Sequence, residues 1–314
     1  MPSGLRGARI AVVGAGLIGV GWAALFLHHG ADVALWDPDG AARETARTRM
    51  AKPLADLRDL DDSLDDSTCR PGALVVCDDL GTAVSDAVLI QENAPESIPL
   101  KHDLFREIEA HARPSALLAS STSAFTWTDL APALKDPRRL VTAHPFNPPH
   151  LVPLVEIYGP DDTRVSHAET LYRAAGRVPV RLRKDAPGHI ANRLASALWR
   201  EAVHIVADGI ADVEAVDAAL VNGPGFRWSV LGVHMGYHLG GGSGGLSAYL
   251  DHLGPSQQRR WSSLGHPSLT PEVCKALIEG VAQEAAGRDI LALEAARDTA
   301  LIAALKARKG TPVV

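Results

Sequence analysis

The run Gly14-Ala15-Gly16-Leu17-Ile18-Gly19 constrains this chain more than any other feature, because it follows an apolar segment, Arg9–Val13, and opens an apolar helical stretch, Ile18–His29. Glycines at that spacing permit a tight strand-to-helix turn and let backbone N–H groups approach a pyrophosphate at the positive end of the helix. A second apolar run, Val33–Trp36, leads to Asp37, 18 residues after Gly19. A carboxylate there accepts hydrogen bonds from adenosine ribose hydroxyls and repels a 2′-phosphate; no arginine stands immediately beside it in sequence. The expectation is a Rossmann-type βαβ unit holding NAD rather than NADP, through Gly14, Gly16, Leu17, Ile18, Gly19 and Asp37.

The same texture continues. Apolar runs at Val75–Cys77, Ala87–Gln91, Ala116–Ser120, Leu140–Ala143 and Leu154–Ile157 show little polar alternation, as strands buried on both faces of a parallel sheet do. Helical stretches, Gly40–Leu57 and Leu100–His111, lie between them. Such alternation predicts an α/β, doubly wound sheet over residues 1–187. Past Lys184-Asp185-Ala186-Pro187-Gly188 strand-like runs disappear, and Ile190–Asp208, Asp212–Val221, Pro271–Ala286 and Ile290–Ala307 have helical spacing. A second, all-helical domain is expected over residues 188–314. The glycine-rich Gly240–Gly245 is expected to be a mobile loop within it.

Bulk properties narrow the function classes. With 31 basic against 37 acidic residues, a formal −6, the chain is a poor non-specific binder of nucleic acid. No apolar run approaches the roughly 18 residues of a membrane span. Three cysteines, Cys69, Cys77 and Cys274, without a C-x-x-C pair, read as reduced thiols in a cytoplasmic protein. His234 and His238 have a spacing that suits a metal, but no third ligand is evident, so none is expected.

A dehydrogenase needs a base for the alcohol proton and donors for the reacting oxygen. His144, in His144-Pro145-Phe146-Asn147-Pro148, directly follows an apolar run and should emerge at a strand's carboxyl end, where open α/β sheets place ligands. Glu156 closes the next run and is placed to pair with the ring, while Ser123, in Ser120-Ser121-Thr122-Ser123, is a donor candidate after another strand. With Pro187-Gly188-His189-Ile190-Ala191-Asn192-Arg193-Leu194, these motifs resemble the 3-hydroxyacyl-CoA dehydrogenase superfamily over nearly the whole chain, and the spacings of 21 residues from Ser123 to His144 and 12 from His144 to Glu156 fit its pattern. The resemblance implies that His144 is the acid/base, Glu156 its orienting partner, Ser123 and Asn192 the groups binding the reacting oxygen, and Glu96 and Lys101 part of the segment on the nicotinamide side. It also implies a homodimer formed through the helical domain.

Departures from the family pattern bear on the substrate. The region after the second strand is short and carries six carboxylates between Asp56 and Asp66, which would repel a CoA phosphate. His189 replaces the aromatic more usual in the acyl-CoA enzymes. Trp199-Arg200-Glu201-Ala202, Arg227-Trp228 and the glycine stretch resemble the branch that oxidises free 3-hydroxy acids, carnitine first and gulonate second. In that branch Trp199, Trp228 or Tyr237 would face a trimethylammonium, and Arg227 or Arg193 would grip a carboxylate. The expectation is oxidation of a small L-3-hydroxy acid; the rivals are a short-chain 3-hydroxyacyl-CoA enzyme and a silent, crystallin-like relative.

Overall fold

Strand β1 (Arg9–Val13) lies at the middle of the molecule's chemistry, and its alternation shows why. Ile10 and Val12 enter one apolar cluster while Ala11 and Val13 enter another, all at most 1% exposed, so both faces of the sheet are covered. Burial of Ile10, Val12 and Val13 contributes about 1.5–3 kcal/mol each. The computed structural model describes residues 5–61 and 71–311, and divides them into two compact units, Met1–Arg193 and Leu194–Val314.

In the first unit β2 (Asp32–Trp36), β3 (Leu74–Val76), β4 (Leu89–Glu92), β5 (Leu117–Ser120), β6 (Leu140–Pro145), β7 (Leu154–Tyr158) and β8 (Val178–Arg181) join β1 in one sheet. Its order is β3-β2-β1-β4-β5-β6-β7-β8. The helices are α1 (Leu17–His28), α2 (Gly40–Leu60), α3 (Leu80–Val84), α4 (Ile98–His111), α5 (Trp127–Leu130) and α6 (Asp162–Ala174). One face packs on Trp22 and Phe26 of α1, Met50 of α2 and Tyr172 of α6; the other packs on Phe105 and Ile108 of α4 and Leu80 of α3. Helix α1 is buried from Gly19 to His28, which is why it is apolar on all sides.

The sheet is parallel except at one place: β7 runs antiparallel to β6, with His144 opposite Glu156 and Pro145 opposite Val155. Strand β8 and helix α6, absent from the sequence reading, complete the edge. Strand order reverses direction at β1, between β2 and β4, so the carboxyl ends of β1, β4, β5 and β6 open onto one crevice.

The second unit is helical: α7 (Ala191–Ala207), whose first residues belong to the first unit, then α8 (Val213–Asn222), α9 (Pro224–Trp228), α10 (Val233–Gly240), α11 (Gly245–Ser262), α12 (Pro271–Ala285) and α13 (Ile290–Arg308). Asp212 caps α8 by accepting from the N–H of Ala215. The expected mobile loop at Gly240–Gly245 is corrected. Gly240 ends α10, a 3-10 turn spans Gly242–Gly244, and Gly245, at φ +59, opens α11. The glycines are needed for close approach, since a Cβ at Gly241 would overlap the Gly245 carbonyl.

Candidate active site

The glycine turn meets the requirements of a pyrophosphate cradle. Gly14 has φ +99, a Cβ at Gly19 would overlap the Gly14 carbonyl, and the space over Gly16 is open. Gly16 caps α1 with no side chain on its N–H groups, and the first turn carries no acidic residue. The positive end of this 12-residue helix is therefore free of capping side chains and of first-turn carboxylates. Asp37 sits beside this turn, its Oδ2 accepting from the N–H of Ala15 at 2.6 Å and its Oδ1 from that of Asp39 at 2.9 Å. Folding also brings in an arginine the sequence did not place there: Arg43 donates to the Asp37 carbonyl at 2.8 Å and pairs with Asp78 at 3.4 Å. The Asp37 carboxylate thus stands at the turn, where a ribose diol finds acceptors and a 2′-phosphate meets repulsion.

Beyond the turn a cavity of about 430 Å³ opens, entirely within the first unit. Ile18, Glu96, Lys101, Ser123, His144 and Asn192, six of the residues singled out from sequence, line it together. So do Asn93, Ala94 and Pro95 after β4, Ser121 and Thr122 after β5, and Pro145–Asn147.

His144 stands near the end of β6, 5% exposed, and its Nδ1 donates to Glu156 Oε2 at 2.9 Å. Glu156, in the middle of β7 and 1% exposed, uses Oε1 to accept from the N–H groups of Ile190 at 2.7 Å and Ala191 at 2.9 Å, at the start of α7. Burial pushes this carboxyl up, but the hydrogen bonds from His144, Ala191 and Ile190 outweigh burial and hold it below its ordinary value. With Glu156 ionised, Nδ1 must carry the ring proton, so a neutral His144 presents a free lone pair at Nε2.

Glu96 does more than border the cavity. Its Oε1 accepts from the Ser123 N–H at 2.6 Å and the Ser123 hydroxyl at 3.1 Å, and its Oε2 accepts from the Thr122 hydroxyl at 2.9 Å. Burial raises its pKa, and these bonds with nearby Lys101 bring it below the usual carboxylate range. Lys101 is 1% exposed and its tightest partner is Glu92, at 2.7 Å, with Glu96 at 3.6 Å. Glu92 was not singled out from sequence, although a carboxylate closing an apolar strand was a signal. Its second oxygen takes the Ser120 hydroxyl. A further buried chain runs from Tyr172 through Gln91 and Ser121 to Asn93 beneath the cavity.

His189 is a second residue to which sequence reading gave no role in the chemistry. Its ring stacks on that of His144, centroids 4.8 Å apart and planes at 19°.

Trp199, Arg227 and Trp228 belong to the second unit and are exposed. Trp199 lines an apolar cavity of about 460 Å³ within that unit, beside Val203, Val213 and Ile278. The acidic segment needs revision in part: Asp56 is buried, paired with Lys52 at 2.6 Å and His150 at 3.3 Å, so it is not among the carboxylates exposed to repel a CoA phosphate. Asp62, Asp65 and Asp66, and Cys69, lie outside the described residues.

Comparison with known proteins shows which family the chain resembles. The profile of the 3-hydroxyacyl-CoA dehydrogenase NAD-binding domain matches residues 9–186, and that of the C-terminal domain matches residues 188–283. L-Carnitine dehydrogenase of Streptomyces coelicolor is 43% identical over 302 residues, covering 95% of this chain and 94% of its own. The enzyme of the same name from Pseudomonas putida is 39% identical over 308 residues, covering 96% and 94%. Among solved structures, an NAD+-dependent dismutase, 5-formyl-3-hydroxy-2-methylpyridine 4-carboxylic acid 5-dehydrogenase, superposes with a TM-score of 0.78 at 30% identity, covering 97% of this chain and 99% of that one.

Proposed function

The chain belongs to the 3-hydroxyacyl-CoA dehydrogenase family, and on that premise we propose that it oxidises the 3-hydroxyl of a small free L-3-hydroxy acid, with L-carnitine the favoured substrate. It is an NAD-dependent oxidoreductase acting on CH–OH. The observation that carries the residue assignment is the buried His144–Glu156 pair opening onto the cavity that Ser123 and Asn192 also line.

In this reading the Ser123 hydroxyl turns from Glu96 Oε1 to the substrate and, with the Asn192 amide, holds the substrate's hydroxyl oxygen. His144 Nε2 takes the hydroxyl proton, and Glu156 remains ionised against the imidazolium that results. Gly14–Gly19 and Asp37 would hold NAD+, which would supply the acceptor for the hydride leaving the carbinol carbon. The products are the 3-keto acid, NADH and a protonated His144, which returns its proton to solvent. Glu96 and Lys101 support the nicotinamide side. Trp199, Arg227 and Trp228 are the residues proposed for the far end of the substrate.

The carnitine assignment rests on relatives at 39–43% identity over nearly the full length. The second unit supports assembly as a homodimer. Among its described residues the only buried hydrophobic side chains are Val203, Val213 and Ile302, whereas Phe226, Ile278, Ile290 and Leu291 are 69–75% exposed. Apolar surface left that open fits association with a second copy. Among the described residues no helix is long and apolar enough to cross a membrane, and a cytoplasmic location is proposed with the rest.

The test follows NADH absorbance with L-carnitine, L-gulonate, L-3-hydroxybutyrate and 3-hydroxybutyryl-CoA in parallel. The expected result is the highest kcat/KM with L-carnitine, and a loss of about a hundred- to ten-thousand-fold in kcat for His144→Ala. Turnover of the thioester alone would overturn the free-acid reading, and His144→Ala within threefold of wild type would remove the base.

A further inference from the structure

The residue after Gly188 adopts a backbone conformation that L side chains rarely take. His189 has φ +49 in a turn closed by its own N–H donating to the Ala186 carbonyl at 3.1 Å. That turn buries the ring to 1% exposure and lays it flat on His144. Its Nε2 lies 3.1 Å from the Thr122 carbonyl. A carbonyl only accepts, so Nε2 carries the proton and Nδ1 is left as a bare lone pair. That Nδ1 is buried without a partner.

Protonating this ring would place a buried N–H with nothing to accept it, against a second imidazole that must itself become cationic during turnover. Burial and the neighbouring His144 both push the His189 pKa down, against the opposing pull of the Thr122 carbonyl, Glu156 and Asp185. His189 is therefore the neutral member of the pair. It offers His144 a π face, which suits the imidazolium, while its in-plane N–H reaches the loop after β5.

Thr122 is the residue before Ser123, and its hydroxyl binds Glu96, which in turn binds the Ser123 N–H and hydroxyl. One side chain thus connects the ring that takes the proton to the loop that carries the hydroxyl donor. We propose that His189 is a positioning residue for the oxidation: stacked on His144 and tied through Nε2–H to the Thr122 carbonyl, it sets the placement of the base relative to Ser123. This rests on the roles assigned above to His144 and Ser123.

Two variants separate the stack from the tether. His189→Asn keeps a residue that tolerates the left-handed backbone and removes the ring. His189→Phe keeps an aromatic face and removes the N–H. NAD+ affinity, by quenching of protein fluorescence, and the thermal midpoint monitor the fold in both. A displacement on the order of 1 Å between catalytic groups costs about a hundredfold. The expected result is a kcat roughly tenfold to a hundredfold lower in His189→Asn and roughly tenfold lower in His189→Phe. Substrate KM should stay within about threefold and NAD+ affinity within about twofold. A His189→Asn protein with wild-type NAD+ affinity and kcat within threefold of wild type would overturn the proposal. So would a parallel loss of kcat, NAD+ affinity and thermal midpoint, the signature of a packing residue. A wild-type protein silent on every hydroxy acid would overturn the proposed function itself, an outcome distinct from either.

Discussion

Replacing Glu156 by glutamine changes one oxygen to an NH2 group and tests the centre of the site. The carboxylate has two obligations: Oε2 accepts from His144 Nδ1 at 2.9 Å, and Oε1 accepts from two backbone N–H groups, at 2.7 and 2.9 Å. An amide has one accepting oxygen. If that oxygen turns to His144, the NH2 faces two part-buried donors, each left unpaired at a cost of up to about 1–3 kcal/mol. If it stays on the Ile190 and Ala191 N–H groups, the NH2 faces His144 Nδ1, which must then accept. The ring proton moves to Nε2, the atom that has to be empty to take the substrate proton. The second arrangement costs less to the fold, so it wins, and catalysis bears the loss. Losing a general base is worth about a hundred- to ten-thousand-fold, and losing the charge-assisted bond to the imidazolium removes about 1.5–3 kcal/mol more. The expected kcat for Glu156→Gln, from NADH absorbance under saturating substrate, is lower by at least about a hundredfold. A folded variant within threefold of wild type would refute the tautomer argument. The same residue predicts a pH effect on stability. Its folded pKa lies below 4.5, so its ionised form stabilises the fold above about pH 4.5, and that contribution is lost as pH falls through the lower folded value. The thermal midpoint of Glu156→Gln should fall less than that of wild type across that acid window.

Lys101→Met leaves Glu92, 0% exposed, without its cation and should destabilise urea unfolding by about 3–5 kcal/mol; a loss under about 1 kcal/mol would contradict the pairing. Asp37→Ser removes the charge facing the ribose and should raise the ratio of kcat/KM with NADP+ to that with NAD+ by at least about tenfold; an unchanged ratio would show that Asp37 does not set cofactor choice. His29 is pushed down from 6.5 to about 4 by burial, with His28 and Arg177 adding to it. The unfolded chain binds a proton there that the folded chain refuses, so stability falls as pH drops from 6.5 toward 4. His29→Gln should flatten that fall in thermal melts at stepped pH, and an unaltered slope would assign it elsewhere.

How much of the fold was legible depended on burial. Strands β1, β2 and β4 to β7 announced themselves because strands covered on both faces need unbroken Val, Leu, Ile and Ala. Edge strand β3, with Val75 50% exposed, still showed an apolar Leu74-Val75-Val76 run. Strand β8 did not, since Val178 is 55% exposed, Pro179 follows and Arg181 closes it, an edge composition indistinguishable from a loop. Helix α6 was legible and missed: Asp161 caps it, and Val165, Ala168, Leu171 and Tyr172 are buried at helical spacing. The glycine stretch misled for a physical reason. Composition reports conformational freedom, whereas here glycines serve close approach, which depends on what the missing Cβ would strike.

The site divides along the same line. Gly14–Gly19, Ser123 and His144 were readable because each stands at the end of an apolar run, and a doubly wound sheet sends such ends to one crevice. The His144–Glu156 contact needed more than that. Two parallel strands ending together would have set both side chains at the rim, but antiparallel β7 makes them direct cross-strand partners and carries Glu156 far enough inward to hold the start of α7 as well. A carboxylate at the rim would be solvated and screened, and would orient the ring weakly. The buried one orients the ring strongly, and reaching it requires a register that no local pattern in the sequence specifies. His189 illustrates the limit further. Its position in Pro187-Gly188-His189 was visible, but its face on His144 and its tie to Thr122, 67 residues away, come into being only when the turn takes up its left-handed backbone. Short-range signals locate the chemistry; long-range register and single backbone conformations tune it.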